Sequence, residues 1–176
     1  MAKVLKRLLW LDMEMSGLDV EKEAILEVAA IATDIEFKEL ASFHAIIAQP
    51  RRFLDGMDDW NRKHHGASGL TEQVLTAGRP QAEVEAELIA FARLHAGDEI
   101  TLAGNSIGQD RAFINRHMPA FANILHYRML DVTAWKIMMN ARFNVRYEKK
   151  NAHRAVDDIR ESIAEMNAYL ALVKTS

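Results

Sequence analysis

Asp12 and Glu14 stand two residues apart at the end of an apolar run, residues 8–11 (LLWL). In an extended chain that spacing puts both carboxylates on one face. Acids so placed repel, and burying an unpaired charge is costly. A divalent cation that prefers oxygen ligands, Mg²⁺ or Mn²⁺, answers both problems. A strand end that reaches solvent would answer them too. Asp110 follows residues 103–109 (AGNSIGQ), where a strand ends, glycines turn the chain and an acid opens a helix. Ligand sites in α/β sheets favour that position, and so does simple helix capping.

His153 and Asp158 share the segment 153–158 (HRAVDD). At ~100° per residue they would lie ~140° apart on one helix, too far to share a small site. The histidine is therefore expected on a loop just before the helix, with Asp158 in the first turn. Asp157 points nearly opposite the apolar stripe of that helix, whereas Asp158 turns nearer the sheet. The alternative is a pair of exposed first-turn acids that favour the helix dipole. Taken together, Asp12, Glu14, Asp110 and Asp158 can hold two divalent metal ions ~3.5–4 Å apart, an arrangement suited to phosphoryl displacement. His153 offers a base that titrates near working pH.

The elements that must position these residues follow from patterning. Residues 8–14, 24–33 and 40–48 read as strands, although the alanines of the second leave helix open. The short connection between the second and third favours an antiparallel pair. Residues 50–80, with four glycines, read as irregular with short helical turns, a stretch that often carries function. Residues 81–95 are expected to be helical on a stripe of Val84, Leu88, Phe91 and Leu94. Strands at 100–103 and 127–132 alternate with helices at 109–117 and 134–142. A long helix covers 155–173, with Ala155, Ile159, Ile163, Met166 and Leu170 on its apolar side. The expected fold is α/β: a mixed five-stranded sheet, three antiparallel strands first, flanked by helices.

The chain has 176 residues, about half of them hydrophobic, no cysteine and a formal net charge of −3. This length suits one domain, residues 1–176. The absent cysteines exclude disulfides, thiol nucleophiles and cysteine zinc sites. The N-terminal residues lack a signal peptide's apolar core, and no apolar run approaches ~18 residues, so a cytoplasmic protein with no membrane contact is expected. The acidic balance argues against a broad surface for duplex nucleic acid, but not against a short anionic substrate.

The acids and the histidine, in this order, resemble the DEDD exonucleases of the histidine-containing subclass. The likeness is closer still to the oligoribonuclease family, through residues 10–19 (WLDMEMSGLD), 57–61 (MDDWN), 65–70 (HGASGL), 104–110 (GNSIGQD), 126–128 (HYR), 130–132 (LDV) and His153 with 157–162 (DDIRES). The resemblance implies a ribonuclease H-like fold, 3′-to-5′ hydrolysis of very short single-stranded RNA, and a homodimer. It implies that the four acids bind two metals, that His153 activates water, that Leu18 wedges against the bases, and that Trp60 and His65 contact the 3′ nucleotide. Ser106 and Thr133 align with hydroxyls near the 5′ phosphate, with Thr133 in place of the more usual serine. Tyr127 and Arg128 match residues that complete the partner subunit's site, Tyr127 among its catalytic groups. The adjacent His64 competes with His65, but spacing from Trp60 favours His65. Two other readings share parts of the pattern. A DNA-proofreading exonuclease would use the same five polar groups but has no use for the HYR block. A non-catalytic binding module would have no reason to keep all five.

Overall fold

The structure, a computed structural model, describes residues 5–148 and 155–173. Five strands form one sheet: β1 (Arg7–Met15), β2 (Ile25–Asp34), β3 (Glu39–Ile46), β4 (Ile100–Gly104) and β5 (Leu125–Asp131), in the order β3-β2-β1-β4-β5. β1 pairs antiparallel with β2 and parallel with β4; β2–β3 is antiparallel and β4–β5 parallel. The helices are α1 (Arg51–Asp55), α2 (Asp59–Ala67), α3 (Leu70–Thr76), α4 (Gln81–Ala96), α5 (Ile107–His117), α6 (Pro119–Ala122), α7 (Val132–Phe143) and α8 (Ala155–Leu170).

β1 lies at the centre of the sheet, which explains its unbroken apolar run: a strand covered on both faces needs hydrophobic residues at every position. Leu9, Leu11 and Met13 join one core with Val84 and Leu88 of α4 and Ile107 and Phe113 of α5. Leu8 and Trp10 join the other with Ala155, Ile159, Met166 and Tyr169 of α8. The Trp10 indole donates to the Thr33 hydroxyl at 3.0 Å, so the buried N–H is satisfied. By the two-residue period, Asp12 and Glu14 share the face of Leu8 and Trp10, the face that α8 covers. A third cluster, Leu26, Leu54, Met57, Leu70 and Val74, fixes α1 and α3 beside β2.

At Gly104, β4 runs against the backbone of β1. A Cβ there would stand 2.8 Å from the Leu11 carbonyl oxygen, so only glycine lets β4 run this close to β1.

Several sequence expectations need correction. Residues 50–80 are mostly helical, in three short helices punctuated by glycines, because Leu54, Met57, Leu70 and Val74 give them an apolar face to bury. α4 buries Val84, Leu88, Ala92 and Ala96, and leaves Leu94 exposed. Spacings of four keep those residues on one side, and Leu94 falls off it. In α8 the final apolar position is Tyr169 rather than Leu170, and the inward face also carries Ser162 and Glu165. α5 begins two residues earlier than expected, and α6 was not foreseen. His153 lies outside the described residues. Among those described, no helix is long and apolar enough to cross a membrane.

Candidate active site

The carboxyl end of β1 brings Asp12 and Glu14 to the start of α8. Asp12, Glu14 and Asp158 each offer a carboxylate oxygen, and these oxygens lie within 4.8 Å of one another. Asp158 turns inward because Ala155, Ile159 and Ser162, on its two sides along the helix, are buried. Asp157, one residue earlier, is half exposed and pairs with Arg160 at 3.6 Å. Asp110 comes from the first turn of α5 on the other side of β1. It is buried, and it accepts a hydrogen bond from the Met13 backbone N–H at 3.0 Å. It does not cap α5, whose N-cap is Ser106; the bond to Met13 instead ties it to the peptide between Asp12 and Glu14.

At Glu14 and Asp110 the electrostatics are those of buried acids crowded by other acids. Burial first, then the charges of Glu27, Asp158 and Asp110, push the Glu14 carboxyl up to about 7. Burial also raises Asp110 to about 7, against two backbone hydrogen bonds that oppose the rise. An oxygen-only donor set that resists ionising by itself fits Mg²⁺ or Mn²⁺, whose charge would reverse both shifts. Glu27 was not anticipated from the sequence. It sits on β2 directly opposite Glu14 of β1 and is buried. An acid within the apolar run 25–32 was the available signal.

Glu14 and Glu27 line a small cavity of about 40 Å³ with Trp60 and His65 of α2. The N-cap of that helix is Asp58, whose carboxylate accepts from the Asn61 N–H at 2.7 Å. His65 is buried, and its Nε2 lies 2.9 Å from the Met15 carbonyl, so Nε2 must carry the proton. Its Nδ1 stands 4.0 Å from Glu14, and burial lowers the pKa of the ring. His64 lies on the same helix, but its ring stacks on Trp60 at 3.8 Å. Trp60 is 63% exposed and Leu18 76% exposed. The loop carrying Leu18 is held by Gln109, which donates to the Leu18 carbonyl at 2.9 Å.

The Ser106 and Thr133 hydroxyls lie 3.1 Å apart at the carboxyl ends of β4 and β5. Asp131 holds this corner by accepting from both backbone N–H groups, at 3.0 and 2.9 Å. Tyr127 and Arg128 are exposed on β5, an outer strand, with the guanidinium 4.8 Å from the centre of the Tyr127 ring.

Residues 9–166 match the Exonuclease (RNase_T) family. The chain is 45% identical over 170 residues to the oligoribonuclease of Pseudomonas aeruginosa, covering 93% of this chain and 94% of that one. It is 41% identical to the human protein named mitochondrial oligoribonuclease, across 93% of this chain and 72% of that one. Among solved structures, E. coli exonuclease I in complex with a 5cy-dT13 oligonucleotide superposes with a TM-score of 0.73 at 14% identity, over 96% of this chain. Exonuclease I from Methylocaldum szegediense gives 0.71 at 15% identity. This chain spans about 41% of each of those longer proteins. The likeness to exonuclease I shows the fold, a ribonuclease H-like one. The identities and coverage among the oligoribonucleases show the rest: the chain belongs to the oligoribonuclease family of exonucleases.

Proposed function

We propose that the protein is a 3′-to-5′ exoribonuclease that hydrolyses very short oligoribonucleotides, down to dinucleotides, to 5′-mononucleotides. One observation carries the reading. The oxygens of Asp12, Glu14 and Asp158 converge within 4.8 Å, beside a cavity lined by Trp60 and His65. The names of the oligoribonuclease relatives support the choice of substrate.

The four acids Asp12, Glu14, Asp110 and Asp158 would hold two divalent ions, which supply a hydroxide near neutral pH and offset charge on the phosphate and leaving oxygen. The chain's own groups do the rest. His153 accepts the proton of the attacking water. Trp60 stacks on the terminal base and Leu18 parts it from its neighbour, a mode suited to single-stranded ends. His65 borders the 3′ nucleotide. Ser106 and Thr133 border the 5′ phosphate, with the Ser106 hydroxyl donating toward it. Residues 1–176 act as one exonuclease domain in a cytoplasmic homodimer. There Arg128 and Tyr127 of each subunit close the other's cleft, the guanidinium on phosphate and the ring on a base. A dinucleotide carries too few phosphates to need a basic channel, so the net charge of −3 is no obstacle.

The test is cleavage of a 5′-labelled diribonucleotide beside a longer RNA and a DNA primer, with Mg²⁺ or Mn²⁺ and then with EDTA. Fast cleavage of the diribonucleotide that chelator abolishes is expected. Full turnover in EDTA would end the metal reading, and preference for the DNA primer would end the choice of RNA.

A further inference from the structure

Glu165 is fully buried on α8, two turns beyond Asp158, and the reaction described above does not use it. A buried carboxylate needs partners, and this one has three. The Tyr169 phenol donates to it at 2.8 Å. The ammonium of Lys136, on α7, stands 3.5 Å away. The Asn105 amide donates to it at 3.3 Å and to the Ser162 hydroxyl at 2.7 Å. Ser162 spends its own proton on the Asp158 carbonyl, at 2.9 Å, so toward Asn105 it can only accept.

These contacts leave the Asn105 amide one orientation. Its NH₂ faces α8, and its oxygen faces Thr133, whose hydroxyl donates to it at 3.3 Å. With that proton committed, the Thr133 oxygen accepts from the Ser106 N–H at 2.9 Å. Ser106 adopts a left-handed backbone, φ 51°, ψ 31°, which a residue with a Cβ holds only when its surroundings enforce it. Two bonds to its N–H do so, from Thr133 and from Asp131. The donor that remains for a ligand is the Ser106 hydroxyl, which can turn from Thr133 to an incoming oxyanion.

We infer that Asn105, locked by Glu165 and Ser162, is a positioning and specificity residue: it holds the Thr133 hydroxyl so that the Ser106 hydroxyl is left to donate to a terminal phosphomonoester. The inference rests on the reading above that these hydroxyls face the 5′ end. The same network bonds to the backbone carbonyl of Asp158, so the hydroxyls at the ends of β4 and β5 and the acid of the carboxylate cluster share one frame.

The experiment measures kcat and KM for a diribonucleotide with a 5′ phosphate and for the same dinucleotide with a 5′ hydroxyl. The variants are Thr133→Val, Asn105→Ala, Glu165→Gln and the Thr133→Val/Asn105→Ala double variant. Asn105→Ala and the isosteric Glu165→Gln should each cut the preference for the 5′ phosphate about tenfold. The loss should appear in KM for the phosphorylated substrate, with the 5′-hydroxyl substrate changed less than about twofold. In the Thr133→Val background, Asn105→Ala should cost no further preference. Equal losses on both substrates would make Asn105 and Glu165 merely structural and overturn the inference. If Thr133→Val keeps the preference, the 5′-phosphate reading itself is wrong and the inference falls with it. If Thr133→Val loses the preference while Asn105→Ala and Glu165→Gln keep it, the inference alone is overturned.

Discussion

Replacing Glu14 by glutamine should make the metal-free protein more stable while destroying its activity. The Glu14 side chain is 30% exposed, and its carboxyl is held at about 7 rather than 4.5 by burial and then by Glu27, Asp158 and Asp110. Between those two pH values the folded protein keeps a proton that the unfolded chain has released. Stability therefore falls as pH rises through this window, and above pH 7 the whole cost is present. At about 1.4 kcal/mol per pH unit the cost is about 3 kcal/mol. A neutral amide removes it but introduces its own desolvation, about 1 kcal/mol. The net gain at pH 8 is then about 2 kcal/mol, or roughly 4–8 °C in Tm for a chain of this size. Thermal melts followed by circular dichroism, in EDTA at pH 5 and pH 8, read the effect. Glu14→Gln should melt higher than wild type at pH 8, with the advantage gone at pH 5. Mg²⁺ or Mn²⁺ should raise wild type and leave the variant behind. A variant that melts below wild type at pH 8 in EDTA would refute the argument, because the Glu14 charge would then have a stabilising partner.

Asp158→Asn should abolish cleavage and Asp157→Asn should cost little, since only Asp158 faces Asp12 and Glu14; equal losses in a dinucleotide assay would mean that helix phase does not govern the site. Arg128→Ala should weaken dinucleotide cleavage by roughly 1.5–3 kcal/mol, the worth of a charge-assisted contact, and longer RNA by less; competition between the two substrates measures the difference. Mixing inactive Asp12→Ala and Tyr127→Ala subunits should restore activity if Tyr127 acts across a dimer, because exchange puts both defects in one site and leaves the other intact; a dead mixture with exchange shown by tagged subunits would place Tyr127 within its own chain. Gly104→Ala, whose Cβ would meet the Leu11 carbonyl, should lose about 2 kcal/mol or more in urea unfolding with little change in the m-value.

The sheet was legible because its strands announce themselves. The run 8–11 ends abruptly in two acids, and residues 25–32 are apolar throughout apart from Glu27. Both patterns belong to strands covered on two faces. The helical phase of α8 could be counted from its apolar stripe, and the count turned Asp158 rather than Asp157 inward. The failures share a cause. Glu165 and Glu27 look like solvent-facing acids until their partners are known, and those partners lie elsewhere in the chain: Asn105 for one, His44 for the other. Leu94 and Leu170 were misread because an apolar residue near a helix end fits the stripe about as well on either side of it. In residues 50–80 the glycines suggested loop, but Gly66 lies inside α2, and the others fall between helices that are held by contacts with β2.

The placement of α8 decides whether the acid cluster exists at all. Asp12 and Glu14 lie on β1, and β2 and β3 follow it directly in the chain. Asp158 arrives only with Ala155–Leu170, which must dock on the face of Leu8 and Trp10 before three carboxylates can meet. The pairing of β1 with β2 and of β2 with β3 thus involves only two of the four acids, Asp12 and Glu14. The carboxylate cluster is therefore complete only where two segments more than a hundred residues apart in the chain are docked on each other.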